Sequence, residues 1–139
     1  MTLREQTPFK EELMIELLKG FPDNTAAFAL HGHVTKADYE RVLIPDFEDR
    51  LVRHKKVRIY IEIASDLEGF NSGAVWEDQK LGWKHFFDWE RCALVTDVAW
   101  AKHIAKFSEF FGFLWPGEYR AFPEAEANKA HDWIAEDQE

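Results

Sequence analysis

Val57-Arg-Ile-Tyr-Ile-Glu-Ile63 decides the fold class of this chain. It places Val57, Ile59, Ile61 and Ile63 on one side and Arg58, Tyr60 and Glu62 on the other, the period-two signature of a sheet strand with unequal faces. A polar, glycine-containing loop follows through Asn71, Ser72 and Gly73. Beyond it a helix carries Trp76, Trp83, Phe86 and Phe87. Strand, loop and helix together predict an α/β domain. The loop after a strand's carboxyl end is where open α/β sheets place working groups, because unpaired backbone N–H groups converge at the start of the next helix.

Working outward, Leu13, Ile15 and Leu17 alternate with Met14 and Glu16, and Gly20-Phe-Pro-Asp-Asn24 breaks them from Ala26–Leu30. That pair predicts a β-hairpin with a loop of several residues. Thr35 offers an N-cap with Asp38 three residues later, and Tyr39, Leu43 and Phe47 form the apolar stripe of the first long helix. Pro45 lies in that stripe, so the helix is expected to kink or divide just ahead of it. Arg91–Thr96 supplies a fourth strand. A third helix follows from about Val98 to Phe111, with Trp100, Ile104, Phe107 and Phe111 along one face and Gly112 as its stop. Tyr119–Phe122 predicts a short last strand, and Glu124–Asp137 a last helix that starts at Pro123 and turns its alanines, Trp133 and Ile134 to the sheet. The resulting order, β-β-α-β-α-β-α-β-α, predicts a mixed sheet, antiparallel at the start and parallel through the crossovers. Residues 1–12 are polar, aperiodic and contain Pro8, which suggests a loose arm or a short extra element ahead of a domain spanning 13–137.

The chain has 139 residues, 46% of them hydrophobic, enough for one domain with one substantial core. A formal charge of -9 and the lack of a basic run weigh against nucleic acid. No signal-peptide core and no apolar stretch of the roughly 20 residues needed to span a bilayer occurs, so a cytoplasmic protein is expected, in contact with a membrane at most peripherally. The single cysteine, Cys92, reads as a small buried strand residue rather than a nucleophile.

Few residues suggest chemistry. His31 and His33 have the spacing of two ligands on one side of a strand, but no Cys-x-x-Cys, His-Glu-x-x-His or acidic calcium loop accompanies them, and no metal or cofactor is expected. His85 and His103 read as solvated helix residues. Gly69-Phe-Asn-Ser-Gly73 has its serine one place late for a nucleophile elbow, and no phosphate-cradling loop is present. At Asn71-Ser72-Gly73 the plainer reading is a helix cap by Ser72 or Asn71 with a tight approach at Gly73. The functional alternative is a hydroxyl at a helix amino terminus that takes a phosphate and serves as a regulatory loop. No set of residues assembles a catalyst, so a non-enzymatic protein is expected.

Six tryptophans and twelve phenylalanines exceed what so small a core obviously needs. In the Phe110-Phe-Gly-Phe-Leu-Trp115 run, an unbroken third helix would put Phe113 beside Lys102 and Lys106 on its polar side. Part of the run must therefore do something else, such as close an apolar pocket, dock a second subunit or enter a membrane interface. We expect an apolar or lipid-like ligand walled by Trp83, Phe86, Phe87, Trp100, Ile104, Phe107 and Phe111, with Phe110, Phe113, Leu114 and Trp115 as a movable lid or interfacial anchor. A homodimer is the simplest way to hide an exposed aromatic run.

The order of elements resembles that of the SpoIIAA-like proteins, which share the STAS fold of bacterial anti-sigma-factor antagonists. The features that carry the resemblance between Met14 and Ile134 are Leu30-His-Gly-His-Val-Thr-Lys-Ala-Asp-Tyr39, Val57–Ala64, Trp76-Glu-Asp with Gly82 and His85, Arg91–Thr96 with Trp100, and Tyr119-Arg-Ala-Phe-Pro-Glu-Ala-Glu-Ala with Trp133 and Ile134. The resemblance implies a single α/β domain, a mixed sheet of four or five strands packed with about four helices, and no catalysis. In the antagonists an Asp-Ser-Ser-Gly turn carries a regulatory phosphoserine. Phe70-Asn-Ser-Gly73 keeps one serine and the glycine but has Asn71 in the leading serine's place, a departure that weighs against the switch. The group is also likened to CRAL-TRIO lipid-carrier domains, which the surplus aromatics fit better.

Overall fold

The computed structural model describes residues 13–84, 88–99 and 117–136. Strands β1 (Ile15–Leu17), β2 (Thr25–Leu30), β4 (Val57–Ile63), β6 (Trp89–Thr96) and β7 (Glu118–Phe122) form one sheet in the order β1-β2-β4-β6-β7. β1 and β2 are the expected antiparallel hairpin, and every other pairing in this sheet is parallel. Two short strands not anticipated from the sequence, β3 (His33–Val34) and β5 (Gly69–Phe70), pair in parallel as a separate ribbon. Two-residue strands carry no readable alternation, so nothing local could announce them.

The first helical stretch comprises α1 (Lys36–Asp38), a π turn (Tyr39–Leu43) and α2 (Ile44–Arg53). The division falls just ahead of Pro45, as expected. Proline has no N–H to offer and its ring crowds the carbonyl of the fourth residue back, and here the turn widens so that the Ile44 N–H bonds to the Tyr39 carbonyl, five residues back. Helices α3 (Ser72–Lys84) and α4 (Ala127–Ala135) complete the described set, the latter preceded by a single 3-10 turn over Glu124–Glu126. Pro123 leads into that turn and Ala130, Trp133 and Ile134 are buried, which matches the expected last helix.

In a parallel pair, register partners share a face. One face therefore carries the rows Ala26–Ile59–Cys92–Tyr119 and Phe28–Ile61–Leu94–Ala121, and packs with Tyr39, Leu43 and Phe47 from the helical stretch. The opposite face carries Ala27, Tyr60, Ala93 and Val95 under Ala130, Trp133 and Ile134 of α4. Sorting of β4 into two sets holds, but the expected contrast between them does not, since Arg58 and Tyr60 are 3% and 1% exposed. Crossover connections place helices on both faces of a parallel sheet, so the polar side of this strand is covered as well. Arg58 tolerates burial because it is fully engaged. Its guanidinium donates to the carbonyls of Ile134 (2.9 Å) and Glu136 at the end of α4 and pairs with Glu90 at 2.6 Å.

Candidate functional site

Several places on the described surface bring polar groups together beside apolar ones. The first lies where α1 and α3 begin. The Thr35 side chain accepts from the Asp38 N–H while the Asp38 carboxylate accepts from the Thr35 N–H at 2.7 Å, a reciprocal capping box. The other Asp38 oxygen accepts from the Met14 N–H at 2.9 Å, which ties the start of the hairpin to the helix. Asn71 caps α3, its side-chain oxygen accepting from the Ala74 N–H at 2.7 Å, while its own N–H is held by the Val34 carbonyl at the end of the β3–β5 ribbon. Gly73 lets the two helix starts approach, because a Cβ there would lie 3.0 Å from Lys36 Cβ. Ser72 is left exposed, with no hydrogen-bond partner among the described residues. A cleft of about 650 Å³ opens beside these groups, lined in part by Met14, His33, Lys36, Glu40 and Asn71.

The second place is on the sheet, between β4, β6 and α3. Neighbouring positions on either side of β4 are closed, with Phe28 at 1% and Leu94 at 5% exposed. Ile59 and Ile61 in the middle of the central strand nevertheless keep partial exposure, as do Tyr119 and Ala121 on β7 and Leu81 on α3. Into this region α3 sends a carboxylate. Tyr39, on the π turn, donates to Asp78 Oδ1 at 3.0 Å. Crowding by protein raises the Asp78 carboxyl above its ordinary range, with the Tyr39 hydrogen bond acting the other way. Burial first, and then the Asp78 charge, move the Tyr39 hydroxyl above the usual tyrosine range. Asp78 is still accessible at its surface. Asp78 also acts on Cys92, whose thiol burial and then that charge push up to about 12. Cys92 is the register partner of Ile59, so the carboxylate belongs with the Ile59 row. The thiol is buried and held neutral, as expected of an inert cysteine.

The structure sorts the expected site residues unevenly. Asn71, Ser72 and Gly73 are together at the start of α3, where Asn71 takes the capping role. His31 and His33 flank Gly32, which has a φ of +60°, so they lie at a strand-loop junction. No group of three His, Cys, Asp or Glu side chains suited to a metal occurs among the described residues. Trp83 falls within α3, but its side chain lies outside what is described. So do Phe86, Phe87, Trp100, Ile104, Phe107 and Phe111, and also Phe110, Phe113, Leu114 and Trp115, together with the arm over 1–12 and the third helix. Sequence reading missed the Tyr39–Asp78 pair. The one available signal was an aspartate on the inward stripe of α3, at i+4 from Ala74 and i−3 from Leu81.

These features define a class, a single α/β domain whose mixed five-stranded sheet has helices packed on both faces. Residues 25–135 match the SpoIIAA-like family model, and the chain belongs to that family. It is also similar in structure to an uncharacterised protein of the DUF3478 family with a SpoIIAA-like fold from Shewanella loihica PV-4. The two share 26% identity at a TM-score of 0.71, over 90% of this chain and 97% of the other. None of the curated proteins matches. Among the described residues no helix is long and apolar enough to cross a membrane.

Proposed function

We propose that this protein is a non-enzymatic binding domain that holds a small apolar or lipid-like molecule against the sheet face between β4, β6 and α3. The observation that carries this reading is the partial exposure of Ile59 and Ile61, mid-strand apolar residues between fully covered neighbours. Such positions are ordinarily closed in a parallel sheet. Filling the cleft with an apolar chain gains roughly 25 cal/mol for each Å² of apolar surface removed from water, less the ordering cost of the bound state. The aromatic residues from Trp83 to Phe111 would supply further walls, and Phe110, Phe113, Leu114 and Trp115 the lid or interfacial anchor. With a charge of -9, an anionic bilayer is disfavoured as an electrostatic partner, and membrane contact would be apolar and weak.

Gentle purification from the native host, native mass spectrometry and organic extraction test the reading. A stoichiometric apolar passenger is the expected result. Protein that is empty and also fails to take up the neutral dye Nile red would remove it. For the anchor, Phe113→Asp with Trp115→Asp should abolish binding to phosphatidylcholine vesicles while leaving the circular dichroism spectrum intact.

A second reading rests on Ser72. Because Asn71 takes the cap, the Ser72 hydroxyl is exposed and unspent in the first turn of α3, where a phosphate's charge is favoured by the helix dipole. The domain would then be a protein-interaction regulator, with a partner that distinguishes Ser72→Asp from wild type.

A further inference from the structure

We infer that the cleft of about 650 Å³ beside the starts of α1 and α3 is a docking groove for this chain's own residues 9–13, which cross it as an extended strap with Glu12 on Lys36 and Lys10 on Glu40. The inference is independent of the apolar-ligand reading. The chain enters the domain at this groove. Met14 lines it, and the Met14 N–H donates to Asp38 Oδ1 at 2.9 Å, which sets the peptide between Leu13 and Met14 against the first helical stretch. Residues 1–12 lie outside the described residues and join the fold at the groove's wall. On the groove side two charges are unspent. Lys36 and Glu40 line the cleft, exposed and four positions apart, a spacing at which opposite charges on a helix often meet. Neither makes a hydrogen bond or an ion pair among the described residues. Asp38, by contrast, has both oxygens engaged, by the N–H groups of Met14 and Thr35. The preceding segment, Phe9-Lys-Glu-Glu-Leu13, complements that pair. Pro8 opposes a helix and confines Thr7 to extended backbone, and Leu13 leads into β1, which favours an extended path between them. Alternate residues of an extended chain share a side, so Lys10 and Glu12 fall on the side of Met14, about 7 Å apart. Four helical residues rise about 6 Å, so Lys36 and Glu40 present opposite charges at nearly the same interval. Placing Glu12 on Lys36 and Lys10 on Glu40 pairs all four, whereas the reverse order sets like charges together, so the charge pattern fixes the direction. Asn71 lines the same cleft, and the strap therefore competes with any partner that docks at the start of α3. It is an autoinhibitory contact.

Zero-length carbodiimide coupling of the full chain tests the strap, because it joins a carboxylate to an amine only where the two already meet. Peptide mapping should find Glu12 linked to Lys36 and Glu40 to Lys10. The Glu48–Lys84 and Glu77–Lys80 pairs, at 3.2 and 3.1 Å, serve as positive controls. Coupling a mixture of unlabelled and isotopically labelled protein shows whether each link lies within one chain, which is the expected result. Links that join the two isotopic forms would give the groove to a second copy and overturn the inference. So would control links without the strap links, or Lys36 joined to Glu11 or to Glu40. A second measurement reads the cover itself. In an Ala37→Cys background, with the native Cys92 buried, Glu12→Lys should speed maleimide labelling about fivefold, and Lys36→Glu added to it should restore the slow rate. Equal rates in all three proteins would overturn the strap.

Discussion

Arg58→Met should be among the most damaging single substitutions on the face away from the cleft, and the structure gives the size of the loss. The Arg58 side chain is 4% exposed and closes α4, donating to the Ile134 carbonyl at 2.9 Å and to the Glu136 carbonyl, and it pairs with Glu90 at 2.6 Å. Methionine keeps much of the stem's packing but offers no donor. The buried Ile134 carbonyl loses its Arg58 donor at a cost of about 1–3 kcal/mol, while the Glu136 carbonyl, on an exposed residue, turns to water. Arg91 still donates to the Trp133 carbonyl at 2.7 Å, and Glu90, 39% exposed, recovers water, so neither adds a full second penalty. A net loss of about 2 kcal/mol follows, below the cost of stranding a buried charge because Glu90 regains water. That is a large share of the roughly 5–15 kcal/mol by which a domain is stable. Equilibrium urea unfolding followed by tryptophan fluorescence measures it, with an expected fall of about 1–2 M in midpoint at unchanged slope. Lys129→Met, which removes the exposed pair with Glu126 at 3.7 Å, is the comparison and should cost at most about 0.5 kcal/mol. If Arg58→Met stays within about 1 kcal/mol of wild type, the claim that this guanidinium closes the helix is wrong.

Two further predictions concern the helix ends. Asn71→Ala removes the side chain that accepts from the Ala74 N–H and should cost about 1 kcal/mol in thermal unfolding, whereas Asn71→Ser should keep most of it; equal losses would rule out the capping role. Asp23 accepts from Arg53 at 2.8 and 3.1 Å and meets His54 at 2.7 Å, and these bonds, that from Arg53 foremost, hold its carboxyl well below the usual carboxylate range. Since the folded value is the lower one, the stability Asp23 adds is full above its ordinary value near 3.8 and is lost as pH falls through the folded value. Asp23→Asn should therefore melt below wild type at pH 7, with the gap closing under acid; a gap constant from pH 7 to pH 2 would exclude the linkage.

Local pattern determined a great deal by itself. Strands β4 and β6, the hairpin, the Thr35–Asp38 capping box, the interruption ahead of Pro45 and the inward face of α4 were all legible, because each depends on residues within a few positions of one another. A cap at Ser72 or Asn71 was legible for the same reason, and the structure gives it to Asn71. What the chain could not declare locally was what lies over each face. Arg58 and Tyr60 read as a polar face, and only the return of α4 across the sheet, more than 70 residues later, buried them and supplied the carbonyls that make an internal arginine tolerable. Ile59 and Ile61 read as ordinary core, and only the folded chain shows that they keep partial exposure. Tyr39 and Asp78 stand 39 positions apart on different helices, and no spacing rule links them. Capping and alternation are set by backbone geometry over a turn or a pleat, so they are written in the sequence. Burial, charge pairing and the shape of a cleft are set by which distant surfaces meet, and only the folded chain brings those together.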